Sequence, residues 1–219
     1  MTDSLHRYAA VLFDFDGTLA DSYAAIAASV NHVRARRDLP ALSIHEVTRF
    51  VGRGADYLLT HTVPGGKLAD DLACYKAHHP SVMLTLTHFL PGAAALLPAL
   101  HAAGKKIGLC SNKPRLFSQR LLQHLEVAAY FDVVLGPEDV AHPKPAPDML
   151  LRALERLNLP AAQVLYVGDM VVDIQTARAA GVDVWSVATG SEDRRALEDA
   201  KPDRLLADLE EMLAEIGRI

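Results

Sequence analysis

The chain has 219 residues, half of them hydrophobic, 22% charged, and a formal net charge of −5. That composition suits a well-cored globular protein of one large domain, or of a core with a smaller insertion, and argues against a nucleic-acid or polybasic membrane partner. No apolar run approaches the length of a membrane span, and Met1 to Tyr8 lacks the apolar stretch of a signal peptide. The two cysteines, Cys74 and Cys110, form no metal-binding pair and fit a reducing cytoplasm. Monomer and homodimer both stay open.

In chain order, Ala10 to Phe15 reads as a strand that ends on Asp14-Phe15-Asp16-Gly17-Thr18. Residues i and i+2 of a strand share a face, so Asp14 and Asp16 are expected to meet at its C-terminal end. An acidic loop is the plain reading; paired carboxylates that need a cation or a proton between them are the chemical one. Tyr23 to Thr87 carries helix signals and no strand. Ile26, Val30 and Val33 mark a helix face, leaving Arg34, Arg36 and Arg37 at a solvated helix end. Ser43 and Glu46 fit a capping box, Pro64-Gly65-Gly66 a turn, and Leu68, Leu72 and Tyr75 one face of a further helix. The chain is expected to return near Leu90-Pro91-Gly92, and Pro98 to kink the next helix or shift its start.

From there strands alternate with helices. Strands are expected at Lys106 to Cys110, Phe131 to Leu135, Val164 to Val167 and Val182 to Val187. Helices are expected at Leu116 to Leu125, Met149 to Leu157 and Ile174 to Ala180, and a short strand end and terminal helix over Leu205 to Ile219. The pattern predicts an α/β fold: a doubly wound parallel, Rossmann-like sheet with an inserted helical domain. The core would take residues 1–20 and 88–219, and the insertion residues 21–87.

Three further groups sit at strand ends. Ser111-Asn112 offers a hydroxyl and backbone N–H groups to a phosphate oxygen, although it is also an ordinary turn. Lys144 lies in His142-Pro143-Lys144-Pro145, where prolines fix the backbone around a cation, or simply make a rigid surface turn. Lys113 is a competing cation, expected to reach a phosphate less well. Gly168-Asp169-Met170-Val171-Val172-Asp173 opens a helix with two carboxylates suited to Mg²⁺, or to helix capping. The histidines, His78-His79 and His142 among them, show no zinc-ligand spacing.

These four segments, in this order, resemble the motifs of the haloacid dehalogenase-like superfamily over nearly the whole chain. Many relatives carry Ser or Thr where this chain has Met170. The resemblance implies a helical cap over residues 21–87 and a Mg²⁺-dependent phosphatase acting on a small phosphate ester. Asp14 would be the nucleophile and Asp16 the acid and base. Ser111, Asn112 and Lys144 would bind phosphate. The metal set would be Asp14, Asp16 through its carbonyl, Asp169 and Asp173. Asp16 argues against the dehalogenase branch; a sugar-phosphate mutase and a catalytically silent binding protein remain as alternatives. Val51-Gly52-Arg53-Gly54-Ala55-Asp56 resembles the cap loop of phosphoglycolate phosphatases, with Arg53 placed to pair with a substrate carboxylate, or else exposed on a flexible turn. This makes 2-phosphoglycolate the leading substrate.

Overall fold

The computed structural model describes residues 5–216. Strand β1 (Ala10–Phe13) is followed by a tight loop and the short strand β2 (Ala20–Asp21). Four helices come next: α1 (Tyr23–Ala35), α2 (Ile44–Thr48), α3 (Ala55–Thr62) and α4 (Leu68–His78). Strand β3 (His88–Phe89) then pairs antiparallel with β2, so the chain enters and leaves the helical insertion side by side. The remainder alternates: α5 (Ala93–Ala102), β4 (Lys106–Cys110), α6 (Arg115–His124), β5 (Val133–Leu135), α7 (Asp148–Leu157), β6 (Val164–Gly168), α8 (Val171–Ala180), β7 (Asp183–Val187), α9 (Arg194–Ala200), β8 (Arg204–Leu206) and α10 (Leu209–Ile216). The last three residues of the expected terminal helix lie outside the described residues.

The main sheet has the order β5-β4-β1-β6-β7-β8, every neighbouring pair parallel. Its strands are apolar on both faces because helices cover both. Val11 and Phe13 pack with Leu96, Leu121 and Met212 on one side, while Ala10 and Leu12 pack with Leu150, Ile174 and Leu197 on the other. The central position of β1 between β4 and β6 brings three strand C-termini together at one edge, where such sheets keep their ligand crevice.

The insertion has a core of its own, in which Ile26, Val30 and Val33 meet Val47, Leu58, Leu59 and Tyr75. The Ser43–Glu46 capping box forms: Glu46 N–H donates to Ser43 Oγ at 3.3 Å and Ser43 N–H to Glu46 Oε2 at 2.8 Å. Among the described residues, no helix is long and apolar enough to cross a membrane.

Several expectations need correction. Strand β1 stops at Phe13 rather than Phe15, because Phe15 O accepts turn bonds from Thr18, Leu19 and Ala20 N–H groups. The arginine cluster is not uniformly solvated. Arg34 is buried and donates to Pro40 O at 2.8 Å and to Thr62 O, while Arg37 pairs with Asp71 at 2.6 Å, so of the three only Arg36 is exposed. Leu68 is exposed although Leu72 and Tyr75 pack inward. Helix α5 begins at Ala93 and carries Pro98 inside it, so the proline does not shift its start.

Leu12 is wholly buried between β4 and β6. Leu12→Ala is expected to lower stability by about 2–5 kcal/mol through lost burial and a residual cavity. Denaturant unfolding should show this as a lower midpoint at unchanged slope.

Candidate active site

The crevice is built from the ends of β1, β4 and β6. Asp14 immediately follows β1, and its N–H extends the ladder by donating to Val167 O at 2.9 Å. Asp169 and Asp173 come from the turn after β6 and the first turn of α8. These three buried carboxylates present oxygens all within 4.8 Å of one another.

Lys144, also buried, offsets part of that charge. Its Nζ lies 2.7 Å from Asp173 Oδ1 and forms an ion pair with Asp14 Oδ1 at 3.0 Å, although the latter contact lacks hydrogen-bond geometry. Tyr166, on β6, supports the lysine: its hydroxyl accepts from Nζ at 2.9 Å and lies 2.9 Å from Cys110 O and 3.1 Å from Asp173 Oδ1. Asp173 Oδ2 accepts from Met170 N–H at 3.0 Å, so this residue caps α8 while it belongs to the charged cluster. The capping and ion-pairing roles coexist.

Asp169 accepts from the Thr18 hydroxyl at 2.7 Å through Oδ1. Its Oδ2 is buried without a hydrogen-bond partner, as is Asp14 Oδ1. Gly17 and Gly190 close around Asp169: a Cβ on either would overlap its carboxylate. Burial pushes Asp14 up to about 6, with Lys144 pulling it down and Asp173 adding to the rise. Burial, reinforced by Asp173 and Asp14, holds Asp169 well above the usual carboxylate range. Burial would lower Lys144, but Asp14 and Asp173 overcome it and raise the ammonium's pKa. Two orphaned carboxylate oxygens in an all-oxygen cluster fit a hard divalent cation such as Mg²⁺.

Asp16 belongs to a second cluster. With β1 ended, Asp16 turns away from the first three acids to accept from the Ser22 hydroxyl and from Lys113 Nζ at 2.9 and 3.1 Å. The two carboxylates of the first motif therefore answer to different lysines, although both line one pocket with Ser111, Asn112 and Lys113. The Ser111 hydroxyl accepts from Lys113 N–H at 3.2 Å and lowers the pKa of Asp14.

The side chain of Asn112 is fully engaged. It donates to Gly52 O and Lys144 O, both at 3.1 Å, and accepts from Lys144 N–H at 3.1 Å. Gly52 also meets Met170, whose thioether occupies the space a Cβ there would need. Arg53 is not brought to this pocket. It is exposed, lies over the Tyr57 ring at 5.2 Å, and lines a separate outer cleft with Lys76 and Glu138. His142 is likewise outside, paired with Asp148 at 3.1 Å.

The insertion closes the pocket from above with Ile26, Leu58, Tyr75 and His79, and α6 adds Phe117. His79 stacks on Tyr75 at 5.1 Å, and its Nδ1 lies 2.9 Å from Ser29 Oγ. Burial, then the neighbouring Lys113 charge, lowers His79 to about 3, so it is neutral. Sequence reasoning missed Thr18, Ser22, Tyr166 and His79 and set Lys113 aside. Only Lys113, adjacent to Asn112, carried a local signal.

Residues 11–187 match the model of the haloacid dehalogenase-like hydrolases. Phosphoglycolate phosphatase of Escherichia coli is 32% identical over 231 residues, covering 94% of this chain and 92% of the relative. Among solved structures, a haloacid dehalogenase-like hydrolase from Bacteroides fragilis superposes with a TM-score of 0.87 at 31% identity, covering 94% of this chain and 99% of that one. A protein from Haemophilus somnus, described as a predicted phosphoglycolate phosphatase, gives a TM-score of 0.88 at 26% identity, with 96% and 98% covered. The chain belongs to the haloacid dehalogenase-like hydrolases. Within them it is a phosphoric monoester hydrolase of the phosphoglycolate phosphatase-like group, and its substrates are small phosphate esters.

Tyr166→Phe removes the hydroxyl that joins Lys144, Asp173 and Cys110 O. It is expected to cost about 1–3 kcal/mol of stability by chemical denaturation and to slow phosphate release about tenfold with little change in KM.

Proposed function

We propose that this chain is a Mg²⁺-dependent phosphatase that hydrolyses 2-phosphoglycolate through an aspartyl-phosphate on Asp14. The observation that carries the reading is the division of the first motif, with Asp14 facing Lys144 and the acidic cluster while Asp16 faces Lys113 across the same pocket. That division supports Asp14 as the attacking carboxylate and Asp16 as the one that moves protons.

Asp14 attacks phosphorus in line with the ester oxygen. The P–O bond to the leaving group breaks, and Asp16 supplies the proton that the departing oxygen needs. Asp16 then takes a proton from water as the water attacks the aspartyl-phosphate, releasing phosphate and restoring Asp14. Lys144, the Ser111 hydroxyl and the Asn112 backbone N–H neutralise and orient the phosphoryl oxygens, since phosphoryl transfer depends chiefly on charge stabilisation and positioning. Asp14, Asp169, Asp173 and the Asp16 carbonyl would hold Mg²⁺, which when bound supplies positive charge to the transferring group. The cap, residues 21–87, excludes water over the core of residues 1–20 and 88–219. The chain's two free cysteines, Cys74 in the cap and Cys110 in the core, suit a cytoplasmic setting.

Phosphate release should be measured across a panel of 2-phosphoglycolate, sugar phosphates, nucleotides and pyrophosphate. The expected result is the highest kcat/KM for 2-phosphoglycolate. Isomerised sugar phosphate with little free phosphate would instead establish a mutase. Asp14→Asn should lower turnover on the order of 10³-fold or more while circular dichroism stays native-like. Chelation should abolish activity and added Mg²⁺ restore it. Thr18→Ala frees Asp169 Oδ1 from its hydroxyl donor, so about tenfold more Mg²⁺ should be needed for half-maximal rate.

A further inference from the structure

Lys113 is a buried cation whose hydrogen bonding is incomplete. An ammonium has three hydrogens, and those of Lys113 meet the two Asp16 oxygens at 2.9 and 3.1 Å. No acceptor for a third is present among the described residues, although the side chain is only 4% exposed. Lys113 is also the one lysine or arginine among the described residues lining the pocket. Asp14 and Asp16 supply the acidic floor of the pocket, while the walls that the cap and α6 set over it are apolar or neutral: Ile26, Leu58, Tyr75, Phe117 and the uncharged His79.

The position of Asp16 defines what meets Lys113. To protonate the departing ester oxygen, Asp16 must lie within hydrogen-bond reach of it. The ammonium is bound to the same carboxylate, so atoms just beyond that oxygen come against Lys113 and the cap walls. A leaving group lacking an acceptor there would leave a buried charge partly unsatisfied, whereas an anion completes it. The pocket has a cavity volume of about 40 Å³ with the cap in this position, which suits a short leaving group.

We propose that Lys113 is the specificity-determining residue of this enzyme, reading a carboxylate carried on the short leaving group of the phosphate ester. This rests on the phosphatase reading above and assigns recognition to a residue of the core rather than to Arg53 of the cap. Arg53 points to an outer cleft and rests on Tyr57, whereas Lys113 bridges the proton-transfer carboxylate and the leaving-group space. The chemistry selects a two-carbon acid ester such as 2-phosphoglycolate over neutral or cationic esters of equal length.

The test compares kcat/KM for 2-phosphoglycolate with that for ethyl phosphate, which has the same chain length and no carboxylate, in wild type, Lys113→Met, Lys113→Arg and Arg53→Ala. Lys113→Met is expected to slow both esters through Asp16. It should also shrink the preference for 2-phosphoglycolate about tenfold or more, chiefly through KM. Lys113→Arg should keep the preference at a raised KM for both esters, because the charge survives and the bulk does not fit. Arg53→Ala should hold the preference within about threefold of wild type. Glycolate should compete with ethyl phosphate in the wild type more strongly than ethylene glycol does, a readout that stands even if Lys113→Met fails to fold. Equal losses on both esters in Lys113→Met, collapse of the preference in Arg53→Ala, or no advantage of glycolate over ethylene glycol would each overturn the proposal while leaving a working phosphatase. Absence of turnover on any ester would remove the phosphatase reading itself.

Discussion

The structure depends on a charge imbalance held at one sheet edge. Asp14, Asp169 and Asp173 bring three formal negative charges within 4.8 Å, and Lys144 returns one positive charge, leaving two uncompensated. Burial first, and then repulsion among these like charges, is why Asp14 and Asp169 both hold their protons more tightly than free carboxylates do. Nothing in such a cluster stabilises the fold by itself, since buried ion pairs rarely repay their desolvation. The apolar layers on both faces of the sheet offset it and keep three strand ends from drifting apart. One divalent cation carries the charge that would bring the cluster to neutrality.

Beside that cluster stands a balanced one. Asp16 and Lys113 cancel each other, and Ser22 adds a hydroxyl donor to the carboxylate. The loop from Asp14 to Thr18 sets the two clusters apart: because β1 ends at Phe13, two acids one residue apart face different counter-ions. A strand continued through Asp16 would have set both acids against Lys144 and left Lys113 without a partner. Chain termination after Phe13 thus does as much for the chemistry as the acids themselves.

The parallel sheet was readable because each strand is an apolar run between helical periods, and Lys106 to Cys110 and Val164 to Val167 fall almost where the ladder forms. Asp14, Lys144, Asp169 and Asp173 were readable for a related reason: each lies in a recognisable segment just past a strand or beside fixed prolines. What escaped has no local pattern. Strands β2 and β3 are two residues each, too short for any period, and α9 is mostly polar. Arg34 looked solvated because a helix period cannot show that backbone carbonyls of Pro40 and Thr62 await its guanidinium. Thr18, Tyr166 and His79 acquire meaning only from partners brought by the fold: Thr18 and Asp169 are 151 residues apart in sequence. The i, i+2 argument for Asp14 and Asp16 leads to one pocket but not to their different counter-ions, since alternation holds only while the backbone stays extended.

Asn112 ties together two parts of the molecule that have separate duties. Its amide donates to Gly52 O on the cap and to Lys144 O on the core, while its oxygen receives Lys144 N–H. Lifting the cap must break the first of these bonds, and Gly52 must also leave its seat against Met170. The amide that would lose its cap partner is the one that clamps the backbone of the buried Lys144. The cap and that lysine's loop thus share one side chain as their common anchor. A raised cap would leave Asn112 its two bonds to Lys144 and take away the third, so the amide is held most firmly when the cap is down.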